Sequence, residues 1–131
     1  MKKTVRSLGY SIEGIFDAWR GERNIRNFVI FHAIFCILGF IIGIHLLFLI
    51  ILTFAAAYFL TIELLNTALE RLADAFDDQE KKKHGGHYHI GVKAAKDVGA
   101  AASLIALLLY IALLSICSLP SLLVWFPGLY V

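Results

Sequence analysis

Two long stretches of this chain carry no charged side chain, Phe28 to Ile62 and Val98 to Val131. No other feature restricts the fold as strongly. A helix crossing a bilayer needs about 20 mostly apolar residues, and it alone can satisfy its own backbone across the hydrocarbon. The first stretch holds two short spans joined by a tight turn near Gly43-Ile44-His45, and the second holds one span and a tail broken at Pro120. The expectation is an all-α membrane protein with three transmembrane helices in a single domain. Composition agrees, since 60% of the 131 residues are hydrophobic, against about 45–50% in soluble domains.

The net charge of +2 matters less than where the charges lie. Lys2, Lys3, Arg6, Arg20, Arg23 and Arg26 precede the first span, and every other Lys or Arg falls between Arg71 and Lys96. Basic residues in short loops mark the cytoplasmic side. The N-terminus and the 71–97 segment are therefore expected inside the cell, and the C-terminus outside. The apolar run starts too late for a cleaved signal, and no small-residue cleavage site follows it. Cys36 and Cys117 fall inside spans and read as small packing residues. There is no internal repeat and no nucleic-acid signature.

Val5, Leu8, Ile12, Ile15, Phe16 and Trp19 recur at three- and four-residue spacings, which makes one apolar helical face. With basic residues on its other side, this segment suits a helix lying on the cytoplasmic leaflet. It and the collar "RGERNIRNF", with a break at Gly21, occupy 1–26. The spans follow at 28–43 and 46–76, the second long enough to project into the cytoplasm. A loop (77–91), a third span (92–117) and an apolar tail (118–131) complete the domain, with Trp125 and Tyr130 placed for the outer headgroup region.

The second span carries an anomaly in "YFLTIELLNTALERLADAF", residues 58–76. At 100° per residue, Glu70 returns to within about 20° of Glu63, and Asn66, Thr67, Asp74 and Asp77 fall close to the same line. Ionisable groups at membrane depth are costly and are usually paired or functional. One reading is structural, with Glu63 paired to a basic residue such as Lys96. The other is phosphoryl transfer, which needs carboxylates for Mg²⁺, a cation for phosphates, and an acceptor for the proton of the attacking hydroxyl. Glu70 and Asp74 then serve metal and nucleotide, Glu63 the hydroxyl, and Lys93, Lys96, Asp97 and Glu22 complete the charges at that depth. No Gly-rich phosphate loop is present.

"ELLNTALERLAD" (63–74), "ERN" (22–24) and "KDVGAAA" (96–102) together resemble the prokaryotic diacylglycerol kinase family, small membrane lipid kinases that include undecaprenol kinases. The resemblance runs from "GYSIEGIFDAW" (9–19) to the third span. It implies a homotrimer of three-helix protomers, each with a surface helix, whose active sites are shared between neighbours. It implies an ATP- and Mg²⁺-dependent transfer to a lipid hydroxyl, with Glu63 as catalytic base. Glu22 and Glu70 are implied to hold the metal and contact nucleotide, and Asn66 to support the base and the lipid headgroup. Tyr10, His87, Tyr88, His89, Lys96 and Asp97 are implied at the nucleotide, and Trp19 and Arg26, with Glu63 and Asn66, at the lipid. The bacterial inner membrane is the implied location.

The chain departs from the family pattern at Ala73, in the longer loop "DDQEKKKHGG", and at "GAAAS", which matches neither the "GSAAV" nor the "AAGAV" form. The first form accompanies diacylglycerol kinases, whereas "ERN" is more usual in the undecaprenol type. Diacylglycerol, giving phosphatidic acid, is the preferred substrate, with undecaprenol as the alternative. A small membrane assembly or transport subunit is the non-catalytic alternative.

His84, His87 and His89 lie close together, but zinc takes four ligands and no Cys is near. Nucleotide contact by one or two residues of this segment, or a solvated loop, is therefore expected over a zinc site. Other features read as structural. Lys81–Lys83 suits a headgroup-facing patch. His32 and His45 suit packing or interface roles, and Gly39 and Gly43 form a small-xxx-small pair for close helix contact.

Overall fold

The structure, a computed structural model, describes residues 2–84 and 90–125. His87, Tyr88 and His89, and the last residues of the tail including Tyr130, lie outside the described residues. The chain forms α1 (Lys2–Gly21), α2 (Arg23–Ile42), α3 (Leu46–His84) and α4 (Ile90–Trp125), with no strand among the described residues. Three helical segments are long and apolar enough to cross a membrane: Arg23–Ile42, Leu46–Gln79 and Ile90–Leu119. The protein is an all-α membrane protein.

The α1–α2 junction is a one-residue break at Glu22, whose backbone is extended at φ −103° and ψ 110°. Arg26 Nη1 donates to the carbonyls of Trp19 (2.9 Å) and Arg20 (2.8 Å). These are among the carbonyls that the end of a helix leaves without an internal partner. The arginine thus closes α1 and turns the chain into α2. Leu8, Ile12, Ile15 and Phe16 of α1 are exposed, so its apolar face is left for a surface outside the protomer, as an interfacial helix requires.

The α2–α3 turn rests on a left-handed glycine. Gly43 has φ 90° and ψ 26°, its N–H bonds to the Phe40 carbonyl (3.2 Å), and the Ile44 N–H bonds to the Gly39 carbonyl (2.8 Å). This is a Schellman ending, in which glycine avoids the Cβ clash. The two glycines expected to pack helices therefore divide the work. A Cβ on Gly43 meets nothing within 4 Å, whereas one on Gly39 lies 3.1 Å from Leu49 Cδ2 and 3.2 Å from Ile44 Cδ1. His45 starts α3, its Nδ1 accepting the Leu47 N–H at 3.3 Å. Gly43→Ala should cost about 1–2 kcal/mol from the left-handed backbone alone, read as a lower midpoint of thermal unfolding in detergent. An unchanged midpoint contradicts this account of the turn.

α3 has 39 residues, about 58 Å at 1.5 Å per residue, nearly twice the hydrocarbon thickness. Its length thus exceeds what a single crossing requires. The helix continues to His84 through the segment expected to be a loop from 77. Asp77, Asp78 and Glu80 precede Lys81–Lys83 at three- and four-residue spacings, which supports a helix. α4 likewise passes Pro120 and reaches Trp125, so the break expected there is absent. Proline removes one helical hydrogen bond, but unwinding an apolar segment would expose many more backbone groups to hydrocarbon.

The core is small. Phe28 of α2, Leu52, Ala56 and Phe59 of α3, and Ala106 and Tyr110 of α4 pack together. Phe28 meets Phe59 and Tyr110 with ring centroids 4.3 and 4.9 Å apart. His32 Nδ1 lies 2.9 Å from the Tyr110 hydroxyl and His32 Nε2 3.5 Å from Cys36 Sγ. This cluster gives His32 the packing role expected of it and ties α2 to α4. α3 and α4 form the main pair and α2 joins them less extensively.

Candidate active site

The polar stripe of α3 faces a cavity of about 490 Å³ directly above this core. Phe28 and Phe59 belong to both. α3 contributes Glu63, Asn66, Thr67 and Glu70 to the walls, Glu22 enters from the α1–α2 break, and Asn24 and Asn27 come from the first turns of α2. α4 supplies Ala100, Ser103, Leu104 and Leu107. Three carboxylates thus share one cavity, at the level where α3 changes from apolar to charged. Glu63 and Glu70, seven residues apart, are separated by about 10 Å along the axis.

Each carboxylate is held differently. Glu63 accepts a hydrogen bond from the Ser103 hydroxyl of α4. Glu70 Oε1 accepts from Asn66 Nδ2 at 3.0 Å, one helical turn away. Glu22 Oε1 accepts from Arg71 Nη2 at 3.3 Å, and Arg71 Nη1 also pairs with Asp17 of α1. One guanidinium therefore bridges the surface helix, the break and α3. Gly21 leaves room for it, since a Cβ there would stand 2.8 Å from Arg71 Nη2. The contacts are exposed and modest individually, but they set the direction from which Glu22 enters.

Glu63, Asn66, Glu70 and Glu22 are thus brought together. Asn66 is buried, donates to Glu70 rather than to Glu63, and turns its Oδ1 towards Gly99 with no hydrogen-bond partner among the described residues. The other sequence candidates with described side chains lie off the cavity wall. Tyr10 is exposed on α1, Trp19 is partly exposed near its end, and Arg26 is committed to the α1 carbonyls. Lys96 Nζ pairs with Asp74 at 2.8 Å, and Lys93 with Asp97 at 3.1 Å. The pairing of Glu63 with Lys96 considered above is not formed, because Glu63 takes Ser103 instead. Sequence reasoning gave no role to Ser103, Asn24 and Asn27 of the cavity wall, nor to Arg71, which holds Glu22. Ser103 had one available signal, since it follows Gly99 by four residues and so shares its helical face.

Comparison with known proteins then decides the family. The family model for prokaryotic diacylglycerol kinase matches residues 9–117, most of the chain and every cavity residue named above. The chain belongs to the prokaryotic diacylglycerol kinase family. It is similar to a diacylglycerol kinase of Pseudomonas aeruginosa, with 28% identity over 107 residues, 82% of this chain and 80% of that protein. It is also similar to the diacylglycerol kinases of Escherichia coli K12 and Shigella flexneri, each 26% identical over 106 residues, 81% of this chain and 80% of theirs. The protein is a membrane lipid kinase of the diacylglycerol kinase type. Its cavity combines three carboxylates with apolar walls from Phe28, Phe59, Leu104 and Leu107.

Proposed function

We propose that this kinase transfers the γ-phosphoryl group of ATP to the hydroxyl of diacylglycerol at the cytoplasmic membrane surface, giving phosphatidic acid. The supporting observation is the shared cavity of Glu22, Glu63 and Glu70, polar towards one end and lined by Phe28, Phe59, Leu104 and Leu107 at the other. A lipid with a polar head and apolar chains fits that gradient. Transfer consists of positioning and charge stabilisation more than covalent chemistry by the protein. Glu63 accepts the proton as the lipid oxygen bonds to the γ-phosphorus. The bond from that phosphorus to the bridging oxygen breaks, and ADP leaves.

The carboxylates suit Mg²⁺. Among the described residues no three acidic, His or Cys side chains surround one point, and Mg²⁺ is ordinarily held by one or two carboxylates with phosphates and water. Glu22 and Glu70 are the two that would hold it, and when bound it neutralises phosphate charge. Asn66 steadies Glu70 and Arg71 steadies Glu22, so both carboxylates are oriented beforehand.

Lys96, Asp97 and Tyr10 stand away from this cavity, which supports a homotrimer in which a neighbour completes the nucleotide site. His87, Tyr88 and His89 are further nucleotide contacts in this reading, and Trp19 and Arg26 border the lipid. The excess of Lys and Arg before residue 28 and between 71 and 96 supports a cytoplasmic N-terminus, and three apolar helices in a prokaryotic family suit the inner membrane. The test is purified kinase in mixed micelles with MgATP, offered diacylglycerol and undecaprenol in parallel. Diacylglycerol should be the better substrate, and chelating the Mg²⁺ should stop turnover of either. Faster phosphorylation of undecaprenol would reverse the assignment, and undiminished turnover without a divalent metal would remove Mg²⁺ from it.

A further inference from the structure

The serine closing the run "GAAAS" has no role in the reaction as described so far. Ser103 is buried, and its hydroxyl donates to Glu63 Oε2. It is also the one polar side chain that α4 presents to the cavity, its companions there being Ala100, Leu104 and Leu107. A serine side chain is short, so this contact requires α4 to run close to α3. Gly99, four residues earlier on the same face, provides that approach, because a Cβ there would collide with Asn66 and sit 3.0 Å from Leu69 Cδ2. The close helix contact and the hydroxyl are thus parts of one arrangement centred on Glu63.

We propose that Ser103 is a positioning residue for the phosphoryl transfer, holding one carboxylate oxygen of Glu63 so that the other serves the acceptor hydroxyl. A glutamate side chain has three rotatable bonds, and its terminal torsion is broad. Without a donor, the carboxylate turns among orientations of which few accept a proton along the reaction path. Ser103 occupies Oε2, and Oε1 has no hydrogen-bond partner among the described residues. The second oxygen is left for the lipid. The donor comes from a different helix than the base, so it also ties the orientation of Glu63 to the α3–α4 packing. This inference rests on the assignment of Glu63 as base.

The test compares Ser103→Ala, Ser103→Thr and Glu63→Gln in mixed micelles with MgATP and diacylglycerol. A hydrogen bond to a charged group predicts a kcat about tenfold lower for Ser103→Ala. The KM values for lipid and ATP should stay within about twofold, since the interaction serves the transition state and not ground-state binding. Ser103→Thr, which keeps the hydroxyl, should recover at least about half of the wild-type kcat. Elution in detergent and helical circular dichroism should match wild type for all three, so that a loss is not one of folding. A kcat for Ser103→Ala within about twofold of wild type, or a loss confined to KM, overturns the inference. So does a Ser103→Thr variant as slow as the alanine. Inactive Glu63→Gln beside unimpaired Ser103→Ala overturns the role of Ser103 alone, whereas turnover by Glu63→Gln overturns the base assignment and this inference with it.

Discussion

Replacing Glu63 with glutamine should lower kcat by about 10²–10⁴-fold. Glutamine keeps the size of the side chain and can still accept from Ser103 through its amide oxygen, so packing between α3 and α4 is preserved. What it loses is the capacity to take a proton from the acceptor hydroxyl. The loss should appear in kcat with little change in KM, the pattern of a contact made only in the transition state. Steady-state assays with varied lipid and varied ATP separate the two parameters, and elution in detergent reports the assembly. A Glu63→Gln enzyme with kcat near wild type would remove the base from the proposed mechanism. A variant that no longer assembles would instead give Glu63 a structural role.

Gly99→Ala should both destabilise the protein and impair turnover, although residue 99 touches no proposed substrate. A Cβ at this position falls against Asn66 Oδ1 and 3.0 Å from Leu69 Cδ2. Leu69 is a flexible side chain and can give way, but Asn66 is buried and held by its 3.0 Å bond to Glu70. Moving it releases Glu70, a proposed metal ligand, or pushes α4 away and withdraws Ser103 from Glu63. Overpacking of this kind typically costs about 1–3 kcal/mol. The expected results are a lower thermal midpoint in detergent and a higher Mg²⁺ concentration for half-maximal rate. Wild-type values of both would show that the Gly99 approach has no bearing on the site.

Much of this arrangement was legible beforehand, because the membrane imposes simple rules. Charge-free stretches of spanning length placed the three helices, and helical periodicity put Glu63, Asn66 and Glu70 on one face. What stayed hidden depends on the relation between elements. The partner of Glu63 follows from the rotation and depth of α4 against α3, and no periodicity within α3 contains that. Lys96 was an electrostatically reasonable partner, yet it pairs with Asp74, and a neutral serine two turns further along α4 reaches the carboxylate instead. The bridge from Arg71 to Asp17 and Glu22 likewise joins residues about fifty positions apart. Local rules erred where context outweighed them. α3 runs on to His84, into the expected loop, on the strength of its charge spacing, and α4 passes Pro120 because unwinding is costly among apolar residues. The division between Gly39 and Gly43 was invisible in a shared small-residue pattern, since only backbone conformation separates a turn from a packing contact.

The proposed phosphorylation of a lipid alcohol at the carboxylate cavity can be followed directly. The most direct measurement uses ATP labelled in the γ-phosphoryl group, with purified protein and diacylglycerol in mixed micelles, followed by extraction into organic solvent. The expected result is Mg²⁺-dependent label in phosphatidic acid for wild type and only background label for Glu63→Gln. Label that stays in the aqueous phase with wild-type protein, or that reaches the lipid equally with Glu63→Gln, would contradict it.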